Sequence, residues 1–485
     1  MDINKIKTIA DLKKSKYLNR SIKEELRSNL RDRLAKKEDT FAGIYGFEDT
    51  VIPDLERAIL SKHNILFLGL RGQAKTRLAR LMTDLLDDYI PTLADSEIND
   101  DPLNPISFEG KEIIKTLRDK APLKWVHKSE RYVEKLATPD VSVADLIGDV
   151  DPIKAASLKL PFSDERVIHF GLVPRAHRSI FVINELPDLQ ARIQVALFNM
   201  LQDGDLQIRG FKLRMPLDIQ FVFTANPEDY TNRGSIITPL KDRIESQILT
   251  HYPTSIETAR KITQQEAVIA PELEDKIFVS EDMRDMIEML SFEARNSEYI
   301  DEKSGVSARM SISGFENLVS TAERRMIINK DKNTSTRITD FWGVIPALTG
   351  KMELVYEGEQ EGPYQVALSL INGVIEDKFL QFFPHPDKIK DGESDPYGIL
   401  RHWFGDGNNV QLFNDEDDKS FRKKLDSIAG LKKLAQTKTK DKNELYYYME
   451  LILHGLSELN VVTKTIVDGE LNFSDPFGDM LDEFK

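Results

Sequence analysis

Residues 64–79 read Asn64-Ile-Leu-Phe-Leu-Gly-Leu-Arg-Gly-Gln-Ala-Lys-Thr-Arg-Leu-Ala79, and this stretch decides how the chain is read. Ile65 to Leu68 form a short uncharged apolar run, the pattern of a strand buried on both faces. Gly69 and Gly72 punctuate the loop that follows. Lys75 and Thr76 then open a helix with Leu78, Ala79, Leu81 and Met82 on its apolar side. Strand, glycine-containing loop, Lys-Thr and helix make the layout of a phosphate-binding loop. Unpaired backbone N–H groups at a helix start attract an anion, and the helix dipole adds to that attraction. Lys75 can reach the outer phosphates, and the Thr76 hydroxyl can ligate Mg²⁺. Alone, the stretch also fits a strand–turn–helix corner with a solvated lysine.

The loop departs from the G-x-x-x-x-G-K-S/T pattern at one place, where Ala74 stands for the second glycine. Alanine keeps the backbone approach provided its φ stays negative. The expected nucleotide contacts are Gly69, Leu70, Arg71, Gly72, Gln73, Ala74, Lys75 and Thr76. Upstream, Phe41 to Gly46 is a compact turn in which Ile44 and Tyr45 either face an adenine ring or pack as an ordinary staple.

With 485 residues, 40% hydrophobic and 30% charged, the chain fits a globular protein of several domains. No apolar run nears the ~18 residues of a membrane span. The first residues lack the apolar block of a secretion signal, so the cytoplasm is the expected compartment. Zero cysteines exclude disulfides and thiolate metal sites. A net charge of −15 argues against a broad nucleic-acid surface. His169 and His177 do not form a metal-ligand spacing.

Leu18, Ile22, Leu26, Leu30 and Leu34 recur at helical spacing, with Arg20, Lys23, Arg27, Arg31 and Arg33 between them. This is a packing helix with a basic face or a docking arm. Residues 91–122 and 152–170 read as insertions, and Arg131 to Ala137 as a strand. Further buried strands are expected at Ser179 to Ile183, Ile219 to Thr224 and Ser246 to His251. A helix follows from Leu189 to Leu201, and Leu206 to Met215 reads as a β-hairpin around Gly210. The alternation predicts an α/β fold with a parallel sheet covered on both faces, its catalytic residues beyond the strands' carboxyl ends. Lys75, Glu185 and Asn226 all fall there. Past residue 254 the chain is mainly helical. It ends in an acidic, aromatic tail that includes Phe473, Asp475, Phe477 and Phe484.

The second strand ends Asn184-Glu185. Glu185 is set to orient or deprotonate water. Asn184 stands where the ring ATPases carry aspartate; its amide can reach a Mg-bound water but brings no charge, which predicts weaker metal binding or slow turnover. The ordered motifs resemble an AAA+ ATPase, in particular the MoxR ATPases and the ATPase subunit of magnesium chelatase. Gly69 to Thr76 is similar to the MoxR loop, which also carries alanine before lysine. Gly171-Leu-Val-Pro-Arg-Ala-His-Arg-Ser179 resembles the segment entering the Walker B strand of chelatase subunits. The resemblance implies that Asn226 is sensor 1, Arg243 an arginine finger, Arg309 sensor 2, and Arg175 and Arg178 residues facing a neighbour. It implies ATP and Mg²⁺ as cofactors, with Thr76 and Asn184 (through water) on the metal. It also implies a hexameric ring and a partner with a von Willebrand factor A domain. The corresponding division is an N-terminal arm (1–40), an AAA+ P-loop NTPase core (41–253), a helical lid (254–345) and a helical C-terminal extension (346–485). A chelatase motor for metal insertion into porphyrin and a hydrolysis-deficient ATP-binding scaffold are the rival readings. A transcription activator fits less well, because no helix-turn-helix pattern stands near the C-terminus.

Overall fold

The computed structural model describes residues 3–15, 17–162, 164–203, 208, 215–227, 235–389, 395–467 and 470–476. The chain divides into two compact units, Met1–Tyr252 and Pro253–Lys485.

The strands of the first unit are β1 (Ile65–Leu68), β2 (Tyr89–Leu93), β3 (Leu123–His127), β4 (Tyr132–Leu136), β5 (Gly148–Val150), β6 (Ile168–Phe170), β7 (Ser179–Asn184), β8 (Ile219–Ala225) and β9 (Ser246–Leu249). Five of them make one parallel sheet in the order β4-β7-β8-β1-β9. Successive side chains on a strand point to opposite faces, and both faces here meet apolar cover. Ile65, Phe67, Ile180, Val182 and Val222 pack with Leu26, Leu30, Leu55, Ile59 and Leu78 on one side. Leu66, Phe181, Ile183, Phe223 and Ala225 pack with Ile193 and Leu197 on the other. Two covered faces leave few polar positions, which is why the central strands read as mainly apolar runs.

The segment 91–122 carries regular structure. Its ends belong to the antiparallel ribbon of β2 and β3. Its middle carries the helix Phe108–Leu117, capped by Ser107. The buried Asp100 carboxylate holds the turn by accepting from the N–H groups of Ile106 and Ser107 at 2.8 and 3.1 Å. Residues 152–170 include the helix Pro152–Leu158, and β6 pairs with β5.

The periodic leucines near the N-terminus behave unequally. Ile22, Leu26 and Leu30 lie on the helix Ile22–Lys36 and are buried, whereas Leu18 and Leu34 are exposed. That helix is tied into the core by Glu25, whose two carboxylate oxygens accept from the two terminal nitrogens of Arg131, both at 2.7 Å.

The second unit surrounds one core with the helices Glu281–Asn296, Arg309–Asn329, Pro363–Phe382 and Lys442–Glu458. It also carries the short parallel pair β10 (Ile277–Phe278) and β11 (Thr334–Ser335). A three-stranded antiparallel sheet joins β12 (Val410–Leu412), β13 (Thr463–Val467) and β14 (Glu470–Ser474) in the order β12-β14-β13. The expected tail therefore begins later than the composition suggested: Phe473 is fully buried on β14. Phe477 and Phe484 lie outside the described residues, as does most of the expected hairpin around Gly210. No described helix is long and apolar enough to cross a membrane.

Candidate nucleotide-binding site

The loop from Gly69 to Thr76 leaves β1 and turns into the helix Lys75–Leu81. Gly72 takes φ 73°, and Ala74 is left-handed at φ 53°, ψ 16°. The condition placed on Ala74 from sequence, a negative φ, is not met. The turn that delivers Lys75 needs the left-handed conformation, and alanine adopts it at a cost of about 1–2 kcal/mol. Gly69 has a different reason for being glycine: a Cβ there would run into the Thr250 hydroxyl and the Gln73 side chain. The end of β9 braces the loop. Thr250 Oγ1 donates to Gln73 Oε1 at 2.7 Å, and the Tyr252 hydroxyl donates to the Arg71 carbonyl at 2.8 Å.

Lys75 is buried at 8% exposure. Its ammonium donates to the carbonyls of Gly69 and Leu70 and to Asn226 Oδ1, the last at 2.6 Å. The Asn226 amide in turn donates from Nδ2 to Glu185 Oε2 at 2.9 Å. One amide thus links the loop lysine to the strand-end carboxylate. Glu185 itself is left-handed at φ 55°, ψ 49°, with its backbone N–H donating to Thr224 Oγ1 at 3.2 Å. That turn takes the Glu185 side chain out of the strand's alternation.

Asn184 closes β7 beside the loop helix. Its Oδ1 accepts from Thr76 Oγ1 at 3.2 Å and from Thr224 Oγ1 at 3.1 Å. Its Nδ2 donates to Glu134 Oε1 at 2.7 Å. Sequence reasoning did not single out Glu134, Thr224 or Thr250. A signal existed for Glu134, an acid in a strand reading Arg131-Tyr-Val-Glu-Lys-Leu-Ala137. The pairing of β4 with β7 that gives it meaning is a tertiary fact.

The remaining expected residues are dispersed. Ile44 is buried in the core with Val51 and Leu55, while Tyr45 is exposed. Arg243 ends the helix Thr238–Asp242, pairs with Asp242 at 2.5 Å and lies over the Phe198 ring at 5.4 Å. Arg309 is exposed and opens the helix Arg309–Asn329 in the second unit. Arg175 is exposed beside His169. Arg178 does not face outward: at 4% exposure it donates to the Pro91 carbonyl at 2.7 Å, so it braces β2 and cannot meet a neighbouring subunit.

The donors around Thr76 and Asn184 are hydroxyl, amide and carboxylate oxygens, the hard set that suits Mg²⁺. Among the described residues no three His, Cys, Asp or Glu side chains converge as a metal cage.

No protein-family profile matches the chain. Among solved structures, it is similar to a Cytophaga hutchinsonii protein provisionally described as an ATPase, at 16% identity and a TM-score of 0.29, over 72% of this chain and 95% of that one. It is similar to a complex of the BchI and BchD subunits of magnesium chelatase, at 19% identity and a TM-score of 0.34, over 66% of this chain and 98% of that one. It is also similar to Hsp104 bound to ATPγS and casein, at 14% identity and a TM-score of 0.36, over 71% of this chain and 54% of that one. At such scores the site reading rests on the geometry above, the parallel sheet with a phosphate-loop corner at its carboxyl end.

Proposed function

We propose that this chain is an ATP-hydrolysing AAA+ subunit of the MoxR and magnesium-chelatase type, working in a ring on a partner protein. The observation that carries the reading is the Asn226 amide spanning Lys75 and Glu185. A triphosphate laid along the loop would put its outer phosphate on the Lys75 ammonium in place of a loop carbonyl. Backbone N–H groups at the helix start would cradle the inner phosphates. Glu185 then accepts the proton of the attacking water while Asn226 positions that water. Thr76 and Asn184 would hold Mg²⁺, which when bound offsets charge on the phosphate oxygens.

In this reading Arg243 reaches the ATP of a neighbouring subunit and Arg309 pairs with the outer phosphate from the lid. The ring is a hexamer, and the partner carries a von Willebrand factor A domain. Both follow from the motif resemblance.

Asn184 favours one second reading, a scaffold that binds ATP and hydrolyses it negligibly. Phosphate release with Mg²⁺ separates the two. The proposal expects turnover that Lys75→Ala abolishes and that Glu185→Gln lowers by about 10²-fold or more while nucleotide still binds. Parent turnover indistinguishable from that of Lys75→Ala would leave the scaffold reading standing.

A further inference from the structure

We propose that Glu134 supplies the carboxylate charge that Asn184 lacks, so that the nucleotide's divalent cation is held by groups from the loop helix, β7 and β4 together. This rests on the nucleotide reading above.

The register pairs Glu134 with Val182 and Leu136 with Asn184. A period of two then puts Glu134 and Asn184 on the same face of the sheet, one step apart along the strands. Their side chains meet, and with Thr76 they form a continuous run: hydroxyl to amide oxygen at 3.2 Å, amide N–H to carboxylate at 2.7 Å. The far carboxylate oxygen is fixed from the other side. Arg80 Nη2 and the Tyr132 hydroxyl both donate to Glu134 Oε2, at 2.9 and 3.0 Å. Two donors on one oxygen and an amide on the other fix the orientation of this carboxylate.

The arrangement has a simple electrostatic reason. Aspartate at 184 beside glutamate at 134 would set two negative charges in contact. Asparagine removes the repulsion, and Glu134 keeps the negative charge within reach of a cation that coordinates mainly water and phosphate. Arg80 sits one turn beyond Thr76 on the same helix, so the residue that positions Glu134 moves with the residue that ligates the metal.

The test is a titration of a fluorescent ADP analogue onto the full chain, in EDTA and in Mg²⁺. Glu134→Gln should leave the affinity in EDTA unchanged and cut the Mg²⁺-dependent gain by about 10- to 100-fold. Asn184→Asp added to Glu134→Gln should return that gain, because it restores one carboxylate and one amide with their places exchanged. Should Glu134→Gln not fold, Arg80→Ala with Tyr132→Phe frees Oε2 and should lower the same gain. A gain absent from the parent, or unchanged in the folded variant, overturns the assignment while nucleotide binding in EDTA stands. Parent affinity that does not depend on Lys75 overturns the nucleotide reading and this inference with it.

Discussion

Asn184→Asp, made alone, is the sharpest probe of the site's electrostatics. In the parent, Asn184 Nδ2 donates to Glu134 Oε1 at 2.7 Å. Aspartate replaces that donor with a second carboxylate. Two unit charges about 4 Å apart repel by about 4 kcal/mol at an effective dielectric of about 20. Glu134 is 28% exposed and paired with Arg80, so solvent and the guanidinium take up part of this. A net loss of about 2–3 kcal/mol remains, or about 5–10 °C in the melting temperature of a unit this size. The pH dependence has a definite sign. The folded pair holds one carboxyl pKa above its unfolded value, so the folded state binds the extra proton and stability falls as pH rises through that window. The deficit is absent below about pH 4, where the unfolded carboxyls are protonated too. Thermal melts in EDTA across pH 4–8 measure it, and Mg²⁺ with ADP should narrow the gap at high pH. A variant that melts with the parent in EDTA at pH 8 would refute the close approach of residues 134 and 184.

Ala74→Gly should raise the melting temperature by about 1–4 °C, because relief of about 1–2 kcal/mol at a left-handed position exceeds the extra freedom glycine gives the unfolded chain; a fall would contradict the φ of 53°. Glu25→Ala should cost about 3–5 kcal/mol in urea unfolding, since it leaves Arg131 buried and charged; a loss below about 1 kcal/mol would sink the buried pair. Burial, helped by Arg178, holds His177 down at about 4, so the folded state keeps it neutral. Stability from this group is full above about pH 6.5 and drains by up to about 3 kcal/mol as pH falls toward 4. His177→Asn, measured at pH 7 and pH 5, should flatten that limb.

The parallel sheet was legible because burial on both faces erases alternation: Ile65–Leu68 and Ile180–Ile183 are uninterrupted apolar runs, and Ile219–Phe223 is broken only by Gln220. Glu185 and Asn226 were legible because each follows such a strand, and Lys75 because it opens the helix after the loop that leaves one. β4 lies at the sheet edge, and its side chains are half-buried or exposed, so its mixed pattern gave Glu134 no prominence. Arg178 illustrates the opposite failure. A basic residue in a short segment rich in Arg and His reads as surface, yet its guanidinium satisfies a buried carbonyl of β2. At the C-terminus, Leu471 and Phe473 alternate with Asn472 and Ser474, a strand period hidden by the acidic residues that follow. Arg309 and Arg243 were assigned by motif order alone, which carries no distances.

Two non-glycine residues flank the place where the outer phosphate would lie, and both are left-handed: Ala74 at φ 53° and Glu185 at φ 55°. Such conformations cost of order 1–3 kcal/mol each and persist only where their surroundings over-determine them. At Ala74 the determinants are Lys75, drawn onto Gly69, Leu70 and Asn226, and Gln73, held by Thr250. At Glu185 they are Thr224, which receives its N–H, and Asn226, which holds its carboxylate. Asn226 is common to both sets. Its replacement by an apolar isostere such as leucine would therefore release two strained turns at once, whereas Thr224 and Gln73 each touch one. Stability should rise or hold in Asn226→Leu if strain dominates, while nucleotide affinity falls. The opposite pairing, lost stability with affinity intact, would mean that Asn226 serves the fold rather than the phosphate.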